Sequence, residues 1–196
     1  MTSNMNTAIS LWKSILKDPF FKDIPYKVET TKGGSILMSP ASNWHGSAQS
    51  QVVVSLNKGR KGGEIINECS VLTSEGVKVA DVAWASDEFM QKHGYDTPYN
   101  IAPEICVEVM SPGNTKDEIA SKVNLYLAKG ALEVWVVHEN AVVSVYDHSG
   151  LLKRSGMVKS ISVKKRTQRP AFTLVELLVV IATIGVLVGF GHAIGA

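Results

Sequence analysis

The sequence is poor in cysteine, and neither of its two cysteines belongs to a metal-binding pattern. Cys69 and Cys106 lie inside apolar runs, without CxxC spacing and without a neighbouring histidine. Cysteines in such surroundings are typical of buried free thiols in a reducing compartment. The pattern therefore argues against a disulfide framework and against a zinc site.

A net charge of either sign is also missing from most of the chain. The 196 residues include 20 lysines and arginines and 18 acids. Positions 164–196 hold four of the basic residues and one acid, Glu176, which leaves 16 basic and 17 acidic residues in positions 1–163. This balance provides no general attraction for nucleic acid. DNA contact would need a local patch, and two clusters are candidates, although solvated surface charge is the commoner explanation of such clusters. These clusters are Lys58, Arg60 and Lys61, and Lys116, Lys122 and Lys129.

A secretory leader and long apolar runs are absent from positions 1–171. The first twenty residues, MTSNMNTAISLWKSILKDPF, have no basic start followed by an apolar stretch, so we expect the domain to stay in the cytoplasm. Positions 172–196 are different, because Glu176 is their only charged residue.

Hydrophobic periodicity predicts a chain of helices and hairpins. Helices are predicted at 9–16, 43–56, 86–95 and 115–130, and strands at 26–31, 35–38, 69–73, 77–84, 104–110, 131–138 and 141–146. This order predicts an α/β fold, with a mixed central β-sheet flanked by helices on both faces. The domain organisation follows: an N-terminal helix (1–20), a main domain (21–163), a basic linker (164–171) and a hydrophobic tail (172–196).

Two acids stand inside apolar strand-like runs. Asp81 lies in VKVADVAWA and Glu108 in EICVEVM. A carboxylate in such a position is costly unless it is paired or binds a cation. On adjacent strands the two acids would form an oxygen-rich site suited to Mg²⁺ or Mn²⁺. Each acid alone has a simpler explanation, namely a strand-end carboxylate that is paired with a basic residue or solvated.

Lys122 is a candidate third member of this site. It lies on the helix predicted directly after the Glu108 strand, where Ile119, Val123 and Tyr126 mark the buried face. A helix that returns along the sheet could bring the lysine amine to the acids. Spacing alone equally allows a surface lysine paired with Glu118.

Several stretches of the chain resemble a known family. VADVAWAS, PEICVEVMSPGNTKDEIASKVNLYLAKGALEVWVV and the earlier GGSILMSPASNWHGSAQSQVVVSL resemble the Uma-type restriction endonuclease family, a branch of the PD-(D/E)xK nuclease superfamily. The resemblance covers roughly positions 20–150. Its most specific parts are VEVMSP and the lysine and tyrosine four residues apart in KVNLY.

The resemblance implies a restriction-endonuclease-like fold and a metal-dependent nuclease acting on DNA. It assigns metal binding to Asp81, Glu108 and the carbonyl of Val109, and catalysis to Asp81, Glu108 and Lys122. In such enzymes the metal polarises the phosphodiester and lowers the pKa of the attacking water. His45 would support the site, although structural packing is the commoner role of a lone histidine. Cutting two strands is consistent with a homodimer. Two alternative functions remain: a catalytically silent binding module with the same fold, and a membrane- or pilus-associated protein whose function resides in the tail at 172–196.

Two departures from the family pattern bear on this assignment. Ala80 stands where a proline usually precedes the first acid, which affects local stiffness more than ligation. Met110 stands where a contiguous ExK motif would have lysine. The lysine role therefore passes to Lys122 through the resemblance alone.

The tail resembles a second family. KKRTQRPAFTLVELLVVIATIGVLVGFGHAIGA is similar to the N-terminal methylation segment of type IV pilins and pseudopilins, in which a basic leader precedes a phenylalanine and a glutamate at the fifth mature position. Phe172 and Glu176 match that spacing, but Ala171 replaces glycine and the segment stands at the opposite end of the chain. Its length also suits a membrane-spanning helix that anchors the domain to the inner membrane. A fused or misread reading frame is the third interpretation.

Overall fold

The computed structural model describes residues 2–22, 26–40 and 42–165. Within these ranges the helices are α1 (Thr2–Lys17), α2 (Pro19–Lys22), α3 (Asn43–Gly59), α4 (Asp87–His93) and α5 (Lys116–Ala128). The strands are β1 (Tyr26–Thr30), β2 (Ile36–Pro40), β3 (Glu64–Thr73), β4 (Gly76–Ala85), β5 (Ile105–Val109), β6 (Glu133–Val137), β7 (Val143–Asp147) and β8 (Gly150–Leu152). The hydrophobic helix predicted at 172–196 lies outside the described residues.

The strands form a two-stranded and a six-stranded sheet. Strands β1 and β2 pair as an antiparallel hairpin, and the larger sheet has the order β3-β4-β5-β6-β7-β8. Only the β5-β6 pair in it is parallel, and α5 makes the crossover between these two strands. A parallel pair needs such a crossover because the chain must return to the same end of the sheet. The predicted mixed sheet is therefore confirmed.

Helices cover both faces of the larger sheet. On one face, α4 and α5 contribute Phe89, Ile119, Val123, Tyr126 and Leu127 to a buried cluster. On the other face, α3 contributes Ala48, Val52 and Leu56, which pack on inward-facing residues such as Val107 and Trp135. Alternate residues of β5 face opposite sides, since Cys106 belongs to the first cluster and Val107 to the second. Glu108 therefore points to the α5 side.

Helix α1 and the small hairpin share a third cluster with the turn end of β3 and β4. Trp12 and Ile15 of α1 are buried there with Leu72, Val77 and Val79, and Val28 of β1 packs against them. Residues 1–166 form one compact unit. This packing holds the β1-β2 hairpin beside the end of β4.

Local capping signals mark where helices α3 and α5 begin. Helix α3 begins after its N-cap Ser42, whose side chain accepts a hydrogen bond from the His45 amide. Helix α5 begins with a capping box between Thr115 and Glu118. The prediction was incomplete at β3, which begins at Glu64 rather than Cys69, and it missed the three-residue strand β8.

No helix in the described part of the chain is long and apolar enough to cross a membrane.

Candidate active site

The two strand acids lie opposite each other on neighbouring strands. Strands β4 and β5 are antiparallel, with Val82 paired to Val107. The next step of this register places Asp81 opposite Glu108. Both are buried, with exposed fractions of 0% and 2%. The structure thus brings together the two acids on which the candidate site depends.

One lysine ammonium bridges the two acids. Nζ of Lys27, on β1, lies 2.6 Å from Oδ1 of Asp81 and 3.5 Å from Oε2 of Glu108. The Lys27 side chain is 13% exposed. Because both oxygens contact the same nitrogen, the two carboxylates converge on a single position, and a cation already sits there.

Lys122 reaches the site from α5. Its Nζ lies 3.2 Å from Oε2 of Glu108 and 2.6 Å from Oε1 of Glu29, and its side chain is 16% exposed. The alternative of a surface pair with Glu118 is wrong, because the Lys122 side chain is largely buried and its ammonium pairs with Glu29 and Glu108. The helix thus points its lysine at the acids.

Each acid is also held by neutral groups. Oδ2 of Asp81 accepts a hydrogen bond of 2.6 Å from the Val109 amide, and Oε1 of Glu108 accepts one of 2.7 Å from the Tyr126 hydroxyl. The Val109 residue therefore lies at the site, but through its N–H; its carbonyl as a metal ligand stays a prediction. These bonds fix the direction in which both carboxylates point.

His45 contacts the first acid directly. Its Nε2 lies 3.2 Å from Oδ1 of Asp81, and its Nδ1 lies 3.1 Å from Oγ of Ser111, which follows β5. The first turn of α3 carries this histidine, and the ring is buried between the two partners. The structure thus places His45 in contact with the predicted metal ligand, where it orients the carboxylate.

The pKa values of the two buried carboxylates shift in opposite directions. Burial raises the pKa of Asp81, but the Lys27 charge and the hydrogen bond from His45 outweigh it and hold the pKa well below its ordinary range. Burial also raises the pKa of Glu108, and there Lys27 and Lys122 only partly offset the rise. Asp81 is therefore the firmly ionised member, whereas Glu108 takes up a proton more readily.

Three residues of the site were missed from the sequence. Lys27 and Glu29 lie on β1 with one residue between them, so they share a face while Val28 packs into the α1 cluster. Glu29 also accepts a hydrogen bond from the Val79 amide at 3.0 Å. The signal that could have identified them is the alternation in β1, where the charged Lys27 and Glu29 lie on one face and the apolar Val28 lies on the other.

Glu68 is the third missed residue. Its φ of +52° is in the left-handed region, although it lies within β3. Its carboxylate accepts a hydrogen bond from Nε2 of Gln49 at 2.9 Å, and the same nitrogen donates to the Asp81 carbonyl at 3.3 Å. Burial raises the pKa of Glu68, and the Lys27 charge opposes the rise. The irregular backbone thus turns an acid towards the site.

The site opens into a cleft of about 1040 Å³. Its wall includes Tyr26, Lys27, Glu29, His45, Glu68, Asp81, Glu108, Lys122 and the loop at 111–114.

In each of the two basic clusters considered as DNA patches, one residue makes contacts within the domain. Lys122 belongs to the acid site, and Arg60 stacks over Trp84 at 4.0 Å from the ring centroid while its Nη1 donates to the Met157 carbonyl. In each cluster, therefore, one partly buried basic side chain is engaged in contacts within the domain.

The carboxylate oxygens of the site are ligands that divalent cations prefer, although two carboxylates alone do not enclose an ion. Among the described residues no group of three or more His, Cys, Asp and Glu side chains is arranged to hold a metal ion. Mg²⁺ retains several waters and is commonly held by one or two carboxylates together with substrate phosphates, so two converging carboxylates are a fitting set. Asp81 and Glu108 are those two.

The fold and the site define a nuclease-like α/β domain. The sequence profile of the Uma2 family, described as "Putative restriction endonuclease", matches residues 19–163. The chain belongs to this family, and the predicted family is confirmed.

A solved structure supports the fold. The domain superposes with a TM-score of 0.54 on the crystal structure of a putative nuclease belonging to DUF820 from Anabaena variabilis ATCC 29413, at 18% identity over 69% of this chain and 78% of that chain. No curated protein matches the sequence.

Proposed function

We propose that this chain is a metal-dependent endonuclease that hydrolyses phosphodiester bonds in DNA with Mg²⁺ or Mn²⁺. The observation that carries the proposal is the convergence of Asp81 and Glu108 on one cation position in an open cleft, with Lys122 beside it. Membership of a restriction endonuclease family supports the nuclease class. The metal and the DNA substrate are the proposed parts.

Asp81 and Glu108 are the proposed metal ligands, with the Val109 carbonyl as a third. A bound metal polarises the phosphodiester and makes a hydroxide nucleophile accessible near neutral pH. Asp81 suits this role because its lowered pKa keeps it ionised throughout the physiological range. His45 and the Val109 amide hold its two oxygens in place.

Lys122 is the proposed electrostatic catalyst. Its ammonium lies 3.2 Å from Glu108 and is fixed by Glu29 at 2.6 Å. The carboxylates beside it raise the Lys122 pKa despite burial, so the amine stays charged. A fixed positive charge next to the ligand carboxylates stabilises negative charge that develops on the phosphate oxygens.

Plasmid nicking by the full chain tests the proposal. We expect supercoiled DNA to be relaxed with Mg²⁺ or Mn²⁺ and to stay intact with EDTA. Asp81→Asn keeps the side-chain shape but removes the ligand charge, so the rate should fall by about 100-fold or more. Asp147→Asn is the control, because Asp147 is an acid on β7 whose hydrogen bonds are local, with Ser149 and Gly150. Equal nicking by wild type and Asp81→Asn would exclude this site.

A catalytically silent DNA-binding module is the second candidate. The position of the Lys27 ammonium favours it, because the acids already have a cation partner. This function predicts DNA binding without nicking at any metal concentration.

A homodimer, in which two sites would cut two strands, is a further prediction that sedimentation of the full chain can check.

A further inference from the structure

Lys27 stands where a metal ion would stand. Its Nζ contacts Asp81 at 2.6 Å and Glu108 at 3.5 Å, and Glu29 lies at 3.9 Å. Three carboxylates therefore surround one ammonium. Lys122 differs, since its ion pairs are with Glu29 and Glu108. Of the two lysines, only Lys27 bridges the two proposed metal ligands.

The acid pair needs a cation to remain buried. Two ionised carboxylates on opposing strand positions repel each other, and water cannot screen them at exposures of 0% and 2%. Lys27 supplies the missing charge in the metal-free protein. Removing one partner from such a buried network leaves an uncompensated charge, which is strongly destabilising.

The same position cannot hold both cations. A divalent ion binds carboxylate oxygens at about 2.1 Å, and the Lys27 nitrogen is already within 2.6 Å of the Asp81 oxygen. Two positive centres on one oxygen would repel at very short range. Lysine can vacate the position, because its charge sits on a flexible four-carbon stem and the side chain borders an open cleft.

We propose that Lys27 is the resident cation of the Asp81–Glu108 pair and an internal competitor of the divalent metal, which binds only when the Lys27 ammonium leaves. This inference rests on the proposed metal-dependent function. Lys27 then sets the affinity of the site for the metal, and therefore the metal concentration at which the site is filled. Lys122 stays in place and keeps its contacts with Glu29 and Glu108.

Mn²⁺ binding to the full chain, followed by electron paramagnetic resonance of free Mn²⁺, tests the inference without relying on activity. Lys27→Gln should bind Mn²⁺ at least about tenfold more tightly than wild type. Lys78→Gln is the matched control. Lys78 is a buried lysine of the same cleft, but it donates to the Thr30 carbonyl, so its loss should leave the affinity unchanged. Adding Asp81→Asn to Lys27→Gln should abolish the gain.

The outcomes separate the inference from the proposed function. Equal or weaker Mn²⁺ binding by Lys27→Gln than by wild type overturns the competitor role and leaves the metal site standing. A gain that survives Asp81→Asn also overturns it, because the ion then binds elsewhere. Absence of Mn²⁺ binding in wild type, Lys27→Gln and Lys78→Gln alike overturns both the inference and the metal-dependent function.

Wild-type protein provides a second measurement if Lys27→Gln fails to fold. Amine labelling followed by mass spectrometry reports how accessible each lysine is. Labelling of Lys27 should rise several-fold as Mn²⁺ is added, because the displaced ammonium enters the cleft, while labelling of Lys78 stays constant. Labelling of Lys27 that does not change up to the highest Mn²⁺ concentration would overturn the inference.

Discussion

At the scale of single residues, the site shows how surroundings divide two similar acids into different roles. Asp81 is contacted by a lysine, a histidine and a backbone amide, and its pKa is depressed. Burial raises the pKa of Glu108, and the lysines that offset the rise are shared with other acids. Besides its two lysine partners, the buried Glu108 carboxylate accepts a neutral hydrogen bond from the Tyr126 hydroxyl.

Removing the Tyr126 hydroxyl should destabilise the fold. Tyr126→Phe leaves Oε1 of Glu108 without its 2.7 Å donor in a buried position, and an unsatisfied buried group costs about 1–3 kcal/mol. Urea unfolding measures this loss. Tyr95→Phe is the matched control, since Tyr95 donates to the Glu64 carboxylate at an exposed position and its loss should cost under about 0.5 kcal/mol. Equal effects of the two changes would show that Glu108 has another partner.

Cys69 makes stability depend on alkaline pH. Burial raises the pKa of the Cys69 thiol to about 12, whereas an unfolded cysteine titrates near about 8.5. Between these values the unfolded chain loses the proton and the folded chain keeps it. The contribution of the Cys69 thiol to the free energy of unfolding is therefore fully present below about pH 8.5. Above that pH it falls by up to about 1.4 kcal/mol per pH unit. The free energy of unfolding, measured with urea at pH 8, 9 and 10, should fall less steeply with pH in Cys69→Ala than in wild type. An identical pH dependence in the two proteins would contradict the prediction.

At the scale of elements, the β1-β2 hairpin completes the site although it lies outside the main sheet. It brings Lys27 and Glu29 to acids that are 54 and 81 residues away from Lys27 in sequence. The hairpin is docked through contacts between Thr30 and the backbone of the β3-β4 turn. The Val77 amide donates to Oγ1 of Thr30 at 2.8 Å, and Gly76 lies directly against the Thr30 carbonyl.

Gly76 should be essential for this docking. Its φ is +95°, and an added Cβ would lie 2.5 Å from the Thr30 carbonyl oxygen. Gly76→Ala therefore combines backbone strain with a clash against backbone, and we expect a loss of about 2 kcal/mol or more in urea unfolding. Gly33→Ala in the tip of the hairpin is the control, because its nearest neighbour would be 3.9 Å away. A Gly76→Ala protein as stable as Gly33→Ala would show that the hairpin is not held at this point.

The contrast between α5 and β1 shows what the sequence could predict. Strand β5, helix α5 and the acid at Glu108 follow from local pattern, since the apolar run, the cap and the helix face lie within 25 residues of one another. Lys27 was missed because its partners are far away in sequence and a charged strand face ordinarily means solvent. Strand β8 was missed for another reason. Its three residues are too few to show a period.

At the scale of the whole molecule, the family assignment covers residues 19–163 and leaves the tail as a separate question. The site argument depends only on the domain. Positions 172–196 carry a single charged residue, Glu176, and four basic residues lie shortly upstream. About twenty helical residues span the hydrocarbon core of a bilayer, so 177–196 is just long enough.

We expect the tail to anchor the domain to the cytoplasmic side of a membrane. Basic residues flanking an apolar segment are retained on that side, where the cleft would face DNA. In flotation with lipid vesicles, the full chain should move with the lipid and a chain ending at Lys165 should stay behind. Val186→Asp combined with Leu187→Asp should also release the full chain, because each acid costs about 2.5–3.5 kcal/mol near the centre of a membrane helix.

The variant with Val186→Asp and Leu187→Asp provides the decisive control, since the two substitutions leave the length of the tail and the upstream basic residues unchanged. Their effect should be confined to the tail, so nicking and urea unfolding of the domain should match those of the full chain. A full chain that sediments but does not float is aggregated rather than anchored, and this outcome would favour a fused or misread segment. A chain that floats equally well with both acids in place would show that its lipid contact lies in the domain, beyond the apolar segment.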